Sequence, residues 1–146
     1  MTALHLAAKN GNFCLMRLLI SNQADFTQEN KIGINVLHSG AAGDCPKTIV
    51  FFLERGFDIN AVDANDRSAV HHAVLTGADD SLKYLIAYGA DMNRQDKGGR
   101  TALHLAASTI NEVNRPDMIR CVEVLLRGGA DRKIQANGYT AHDLAL

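Results

Sequence analysis

Apolar residues recur along the chain in short bursts at helical spacing, each followed by a Gly, Asn or Asp break and then a second burst. The first burst of each pair is small as well as apolar, as in Leu4, Leu6, Ala7 and Ala8, which predicts a short helix that neighbours approach closely. Breaks stand at Gly11-Asn12, Gly43-Asp44 and Gly77-Ala78. A second helix is predicted after each break, its buried side formed by Leu15, Leu18 and Leu19, then Ile49, Phe52 and Leu53. Leu82, Leu85 and Ile86, and Val122, Leu125 and Leu126, continue the series. Gly56, Gly89 and Gly129 are placed to cap these second helices, and polar stretches such as Asn60 to Asp66 predict a turn or hairpin beyond them.

Thr2-Ala3-Leu4-His5 returns as Asn35-Val36-Leu37-His38, Ser68-Ala69-Val70-His71 and Thr101-Ala102-Leu103-His104, with starts 33 residues apart. A second marker keeps the same register through Ala24-Asp25, Phe57-Asp58, Ala90-Asp91 and Ala130-Asp131. Thr2, Asn35, Ser68, Thr101 and Thr140 differ in type, yet each carries a side-chain oxygen able to cap a helix N-terminus. A helix pair with a polar hairpin at this period resembles the ankyrin repeat, whose signature Thr-Pro-Leu-His-x-Ala-Ala is matched most closely by residues Thr101 to Ala107. The resemblance runs the length of the chain. It implies an all-α repeat solenoid of stacked helix-turn-helix units joined by short β-hairpin or turn connectors. On that register residues 1–146 form one array with units 1–29, 30–62, 63–95, 96–134 and a partial 135–146.

Departures from the pattern carry expectations of their own. The Pro of the signature is Ala or Val in every unit, and Ser39 and Gly40 replace the usual Leu and Ala, so the first helix of the second unit should be the least stable. From Thr101 to Thr140 the interval is 39, which predicts an inserted loop near 109–115 before Pro116 starts the next helix. The first unit lacks its hairpin, the last lacks its second helix, and Leu4, Leu18 and Leu19 show no polar capping adaptation, so a longer array is expected. His142 and Asp143 resemble a degenerate terminal repeat.

Composition narrows the function. With 47% apolar residues and a formal charge of -1 over 146 residues, the chain is expected to be soluble and to bind neither nucleic acid nor anionic lipid. Its longest apolar run, Ile49 to Leu53, stops at Glu54 and Arg55, too short for a membrane span. Residues Met1 to His5 carry no signal-peptide pattern. Cys14, Cys45 and Cys121 are odd in number and far apart, which disfavours disulfides and zinc knuckles and points to a reducing, intracellular and cytoplasmic setting. Cys14 and Cys121 are expected as core thiols. His5, His38, His71 and His104 are read as bonding local turn backbone, because stacked helices stand roughly 8 to 10 Å apart and zinc needs ligands at about 2 Å. His72 reads as packing or surface. The Asp25, Asp58, Asp91 and Asp131 ladder is likewise spread one repeat apart, and neither Gly98-Gly99 nor Gly128-Gly129 has phosphate-loop context. No catalytic, cofactor or metal site is therefore expected.

What the resemblance implies is a non-catalytic protein-protein interaction module that binds a partner protein or peptide on its concave face and hairpin tips. The alternatives are a scaffolding or regulatory segment of an enzyme whose catalytic domain lies outside this chain, and a passive spacer. The tip positions in register include Lys31, Ile32, Ile34, Asn65, Arg67, Lys97, Arg100 and Tyr139, with Ala64, Gly98, Ala136 and Asn137. Four of these are basic and none acidic, which predicts a partner of acidic character. Ile32, Ile34 and Tyr139 are candidate anchors, while Leu75, Thr76, Ser108 and Thr109, with Lys9 and Asn10, would line the palm. Glu112 and Arg115 in the insertion would form a wall at one edge. The family's asparagine hydroxylation maps onto Asn93, which has Leu85 eight residues before it and Asp91 two before; Asn60, with Phe52 and Asp58, matches less well.

Overall fold

Each cap predicted from the sequence starts a short helix. The computed structural model describes residues 1–110 and 115–145. Helices α1 (Ala3–Lys9), α3 (Val36–Ala42), α5 (Ala69–Thr76), α7 (Ala102–Ile110) and α9 (Ala141–Ala145) follow Thr2, Asn35, Ser68, Thr101 and Thr140. At Thr2, Asn35 and Ser68 the side chain and the histidine three residues on satisfy each other's backbone amides reciprocally, a capping box with His in the usual Glu position. Thr140 does the same with Asp143, whose Oδ2 accepts from Thr140 N at 2.8 Å.

Partner helices α2 (Phe13–Ser21), α4 (Pro46–Leu53), α6 (Asp79–Ala87) and α8 (Pro116–Arg127) run beside them, and Pro116 opens α8 as expected. The first helices pack in sequence, α1 on α3, α3 on α5, α5 on α7 and α7 on α9, while α4 packs on α6 and α6 on α8. Phe52, Leu37, Ile49, Leu82, Leu85 and Leu125 are fully buried in one continuous core along the stack. Among the described residues no helix is long and apolar enough to cross a membrane.

Register corrects three expectations, the burial of Leu15, Leu18 and Cys14, all of which are exposed. In α2 the buried residue is Met16, in line with Ile49, Leu82 and Val122, whereas Leu18 is 58% exposed. Leu18 shares its position with Phe51 and Tyr84, on the outward side of the second helices, so its hydrophobicity misled the sequence reading. Cys14 is exposed, not a core thiol, because its register mates are Lys47, Asp80 and Arg120; Cys121 lies one position further on, with Thr48 and Ser81, and is buried. Burial pushes the Cys121 thiol up to about 12, which keeps it protonated and inert.

Close approach explains two residues of the second unit. Gly40 admits the Thr48 side chain, since a Cβ there would lie 2.6 Å from Thr48 Cγ2. At Gly43 a Cβ would collide with the Lys9 carbonyl at the end of α1. These two glycines therefore let α1, α3 and α4 approach one another.

The connectors are turns more than strands. Strands β1 (Gln135–Ala136) and β2 (Tyr139–Thr140) pair antiparallel, and Val62 bridges Ser68. The turn apices use left-handed backbone at Gly33, Asp66, Gly99 and Gly138, and Gly56, Gly89 and Gly129 end their helices in the same conformation.

Candidate functional site

The hairpins are built from one carboxamide and two carboxylates. Asn30 Oδ1 accepts from Ile32 N and Ile34 N, Asp63 Oδ1 from Asn65 N and Arg67 N, and Asp96 Oδ1 from Gly98 N and Arg100 N, all between 2.8 and 3.0 Å. Each tip is then tied to the next, Ala64 N donating to Ile32 O at 2.9 Å and Lys97 N to Asn65 O at 3.0 Å. Gln95 Nε2 reaches Gly99 O and Gln135 O, joining the third hairpin to the fourth. The tips thus form one hydrogen-bonded row along the stack.

The repeated histidines hold that row to the helices. Their Nδ1 accepts backbone amides at the cap, so Nε2 carries the proton, and His5 donates to Ile34 O, His71 to Arg100 O and His104 to Tyr139 O in the following connector at 2.9 to 3.1 Å. The bond therefore crosses to the next unit as well as closing the local cap. His38 departs from its mates and donates to Ala61 O at 2.9 Å. Its ring lies 4.9 Å from that of His72, which donates to Asp63 Oδ2 at 3.0 Å. His72 occupies the register position of Leu6 and Leu105, and was not expected to touch a hairpin. Burial, aided by nearby His38, pushes its pKa down to about 4 against the pull of Asp63.

Among the expected tip residues, Lys31, Asn65 and Lys97 are exposed, as are Ile32 at 49% and Tyr139 at 58%. Ile34, Arg67 and Arg100 are half-buried, held where the histidine bonds and hairpin amides fix their backbone. The charge balance differs from the sequence reading. Asp66 stands exposed at the apex of the second hairpin, and Arg100 Nη2 pairs with Asp96 Oδ2 at 3.0 Å while Arg67 Nε lies 3.6 Å from the same oxygen. Burial alone would raise Asp96, but hydrogen bonds from the Arg100 backbone and side chain outweigh it and hold the carboxyl below its usual range. Lys31 and Lys97 have no carboxylate partner among the described residues. Paired charges such as Asp96 leave no trace in composition, which is why a count of tip residues missed them.

At the ends of the first helices, Thr76 and Ser108 are exposed and Leu75 and Thr109 half-buried. Their hydroxyls are turned back to helix carbonyls, Thr76 Oγ1 to His72 O and Ser108 Oγ to Leu105 O. Arg115 pairs with Asp117, and Glu112 lies outside the described residues. Asn93 is exposed in the turn after α6, where its Oδ1 accepts from Asp131 N at 2.8 Å. Asn60 makes the same link to Asp91 N at 2.9 Å.

A cap histidine that also bonds the next connector, as at His5, His71 and His104, is the structural form of the sequence signature, and a family profile described as Ankyrin repeats (3 copies) matches residues 1–63 and 37–136. The chain belongs to the ankyrin-repeat family. Its ankyrin repeats are similar to those of the B-cell lymphoma 3 protein homolog of Mus musculus, 34% identical over 135 residues, which is 89% of this chain and 29% of that protein. B-cell lymphoma 3 protein of Homo sapiens is 32% identical over 139 residues, covering 92% of this chain and 29% of that protein. Inversin of Canis lupus familiaris is 29% identical over 89 residues, 60% of this chain and 8% of that protein. The chain thus spans under a third of each of these relatives. Ankyrin repeats are generally protein-protein interaction modules, and the fold as such is non-catalytic.

Proposed function

We propose that this array binds a partner protein or peptide of acidic character along its row of hairpin tips and the adjoining ends of the first helices, and performs no catalysis itself. The observation that carries the reading is the hydrogen-bonded row of tips, which offers Lys31, Ile32, Asn65, Lys97 and Tyr139 exposed on a backbone already fixed before a partner arrives. Ile32 and Tyr139 supply the apolar anchors, and Leu75, Thr76, Ser108 and Thr109 border them. The two lysines supply the long-range attraction, because Asp96 offsets part of the charge of the arginines beside it. The setting that fits best is intracellular and cytoplasmic, given three free thiols. The unit boundaries in register, 1–29, 30–62, 63–95, 96–134 and 135–146, belong to the same proposal.

Charge reversal tests the surface. Replacing Lys31 and Lys97 with Glu is expected to slow association with the native partner several-fold, more at low salt, without loss of stability. Reversing Arg67 and Arg100 would also disturb Asp96 and confuse the two effects. The competing surface is the outward side of the second helices, where adjoining shallow grooves share Phe13, Lys47 and Tyr84. A photo-crosslinking residue at Asn65 should therefore capture the purified partner and one at Tyr84 should not; the opposite pattern would move the interface to the second helices.

Asn93 is proposed as an asparagine hydroxylation site, with Asn60 the weaker one. Support comes from the exposure of Asn93 and from its place in the turn that follows α6. Incubation with an asparaginyl hydroxylase is expected to add one oxygen to the Asn93 peptide in mass spectrometry, and an unmodified peptide would sink the assignment.

A further inference from the structure

We infer that Arg67, in the seam between the second and third hairpins, receives a side-chain carboxylate of an acidic partner peptide, and that His72 puts it in that state; this rests on the hairpin-tip reading above. Arg100 stands four residues after Asp96 and closes back on it, its Nε and Nη2 donating to Oδ2 at 3.2 and 3.0 Å. Arg67 stands four residues after Asp63 and would by register do the same. It does not, because Asp63 Oδ2 accepts from His72 Nε2 at 3.0 Å. The register mate of His72 in the next unit is Leu105, which has no hydrogen to give, so Asp96 stays with its own arginine.

Turned away from Asp63, Arg67 faces an oxygen that is already taken. Its Nε lies 3.6 Å from Asp96 Oδ2, outside hydrogen-bond range, and is shielded from solvent without a partner. An unmet charged donor of this kind costs stability in the isolated chain, and an incoming carboxylate on the same guanidinium would offset that cost. The side chain is 27% exposed and that of Arg100 is 42% exposed, so both are reachable from outside. Charge selects the ligand. Three cations, Arg67, Lys97 and Arg100, stand against three carboxylates, Asp63, Asp66 and Asp96, so the seam carries no net charge while His72 is neutral. The guanidinium of Arg67 is matched by one singly charged carboxylate, whereas the three fixed carboxylates would repel a phosphoryl dianion more strongly.

The test reads the arginine Nε–Hε signals by ¹⁵N NMR while the chain is titrated with an acetylated tetraglutamate peptide, and separately with a phosphoserine peptide of equal length. Tetraglutamate is expected to shift the Arg67 signal saturably, and those of Arg17 and Arg127 far less. Arg67→Gln should weaken the peptide about tenfold. His72→Leu, which changes no formal charge at pH 7, should weaken it by a similar factor, because Asp63 Oδ2 is then open to Arg67. The spectra of both variants report whether they are folded. Binding unaffected by His72→Leu would overturn the role of that residue, a response to phosphoserine alone would overturn the carboxylate, and no saturable Arg67 shift would overturn the site. Partner capture that falls on reversing Lys31 and Lys97 while Arg67 stays silent would refute this subsite and leave the hairpin-tip reading standing; a saturable Arg67 shift with capture unchanged would do the reverse.

Discussion

Acidification from pH 7 to pH 4 is expected to cost this chain about 3 kcal/mol of folding stability through His72 alone. The folded state holds its imidazole at about 4, below the ordinary 6.5, because burial disfavours the cation. Between those values the unfolded chain binds the proton and the folded chain does not, so the contribution is full above pH 6.5 and is lost as pH falls towards 4. His38 and His71 are lowered in the same way, mainly by burial, and act in the same direction. Their Nδ1 accepts a cap amide, a bond that protonation there removes. Asp63 and Asp96 add a further loss only below their ordinary carboxylate range, since hydrogen bonds hold both low in the folded chain. Urea denaturation at pH 7, 5.5 and 4.5 checks this, with His72→Leu as the comparison. The variant should show a clearly shallower fall, and equal slopes in the two proteins would remove His72 from the account.

Gly43→Ala is expected to cost about 2 to 3 kcal/mol and to lower the melting temperature by roughly 5 to 10 °C. The φ of Gly43 is -85°, which alanine adopts without strain, so the whole effect comes from space. The added methyl meets the backbone of Lys9, and backbone cannot rotate away as a side chain can. Either α1 or α3 must shift, and their mutual packing is what joins the first unit to the second. Gly56→Ala is the useful contrast: nothing lies within 4 Å of its Cβ, but φ is +85°. There the loss is conformational, about 1 kcal/mol. Thermal melts of the two variants separate the causes, and a neutral Gly43→Ala would mean that the α1 and α3 interface yields freely.

The same contrast marks where sequence reasoning succeeds. Cap residues, breaks and terminal glycines act through one or two neighbouring peptide groups, so Thr2, Ser68, Gly56 and Gly89 announce their roles in any reading of the chain. The period of 33 then makes the helix pairs stack, because a pair with one apolar side has nothing else to bury it against. Within a unit the periodicity was ambiguous by one residue. Leu18 fits the apolar spacing of a second helix and Cys14 a small apolar position in it, yet register with Lys47, Asp80, Phe51 and Tyr84 places both on the outward side.

Binding residues were legible by position and illegible by state. Lys31, Arg67, Lys97 and Arg100 look alike as four tip cations, yet Arg100 is closed onto Asp96, Arg67 is shielded beside the same carboxylate, and the lysines face solvent. The state of Arg67 turns on His72, nine residues from Asp63 and in a helix, at the position of Leu6 and Leu105 in the first and fourth units. By itself the sequence determined the family, the caps and the order of the helices, because those follow from local hydrogen bonding and from a period. Only the tertiary structure decided which charges remain available to a partner, because a carboxylate's second oxygen is claimed by whichever donor the packing brings within 3 Å.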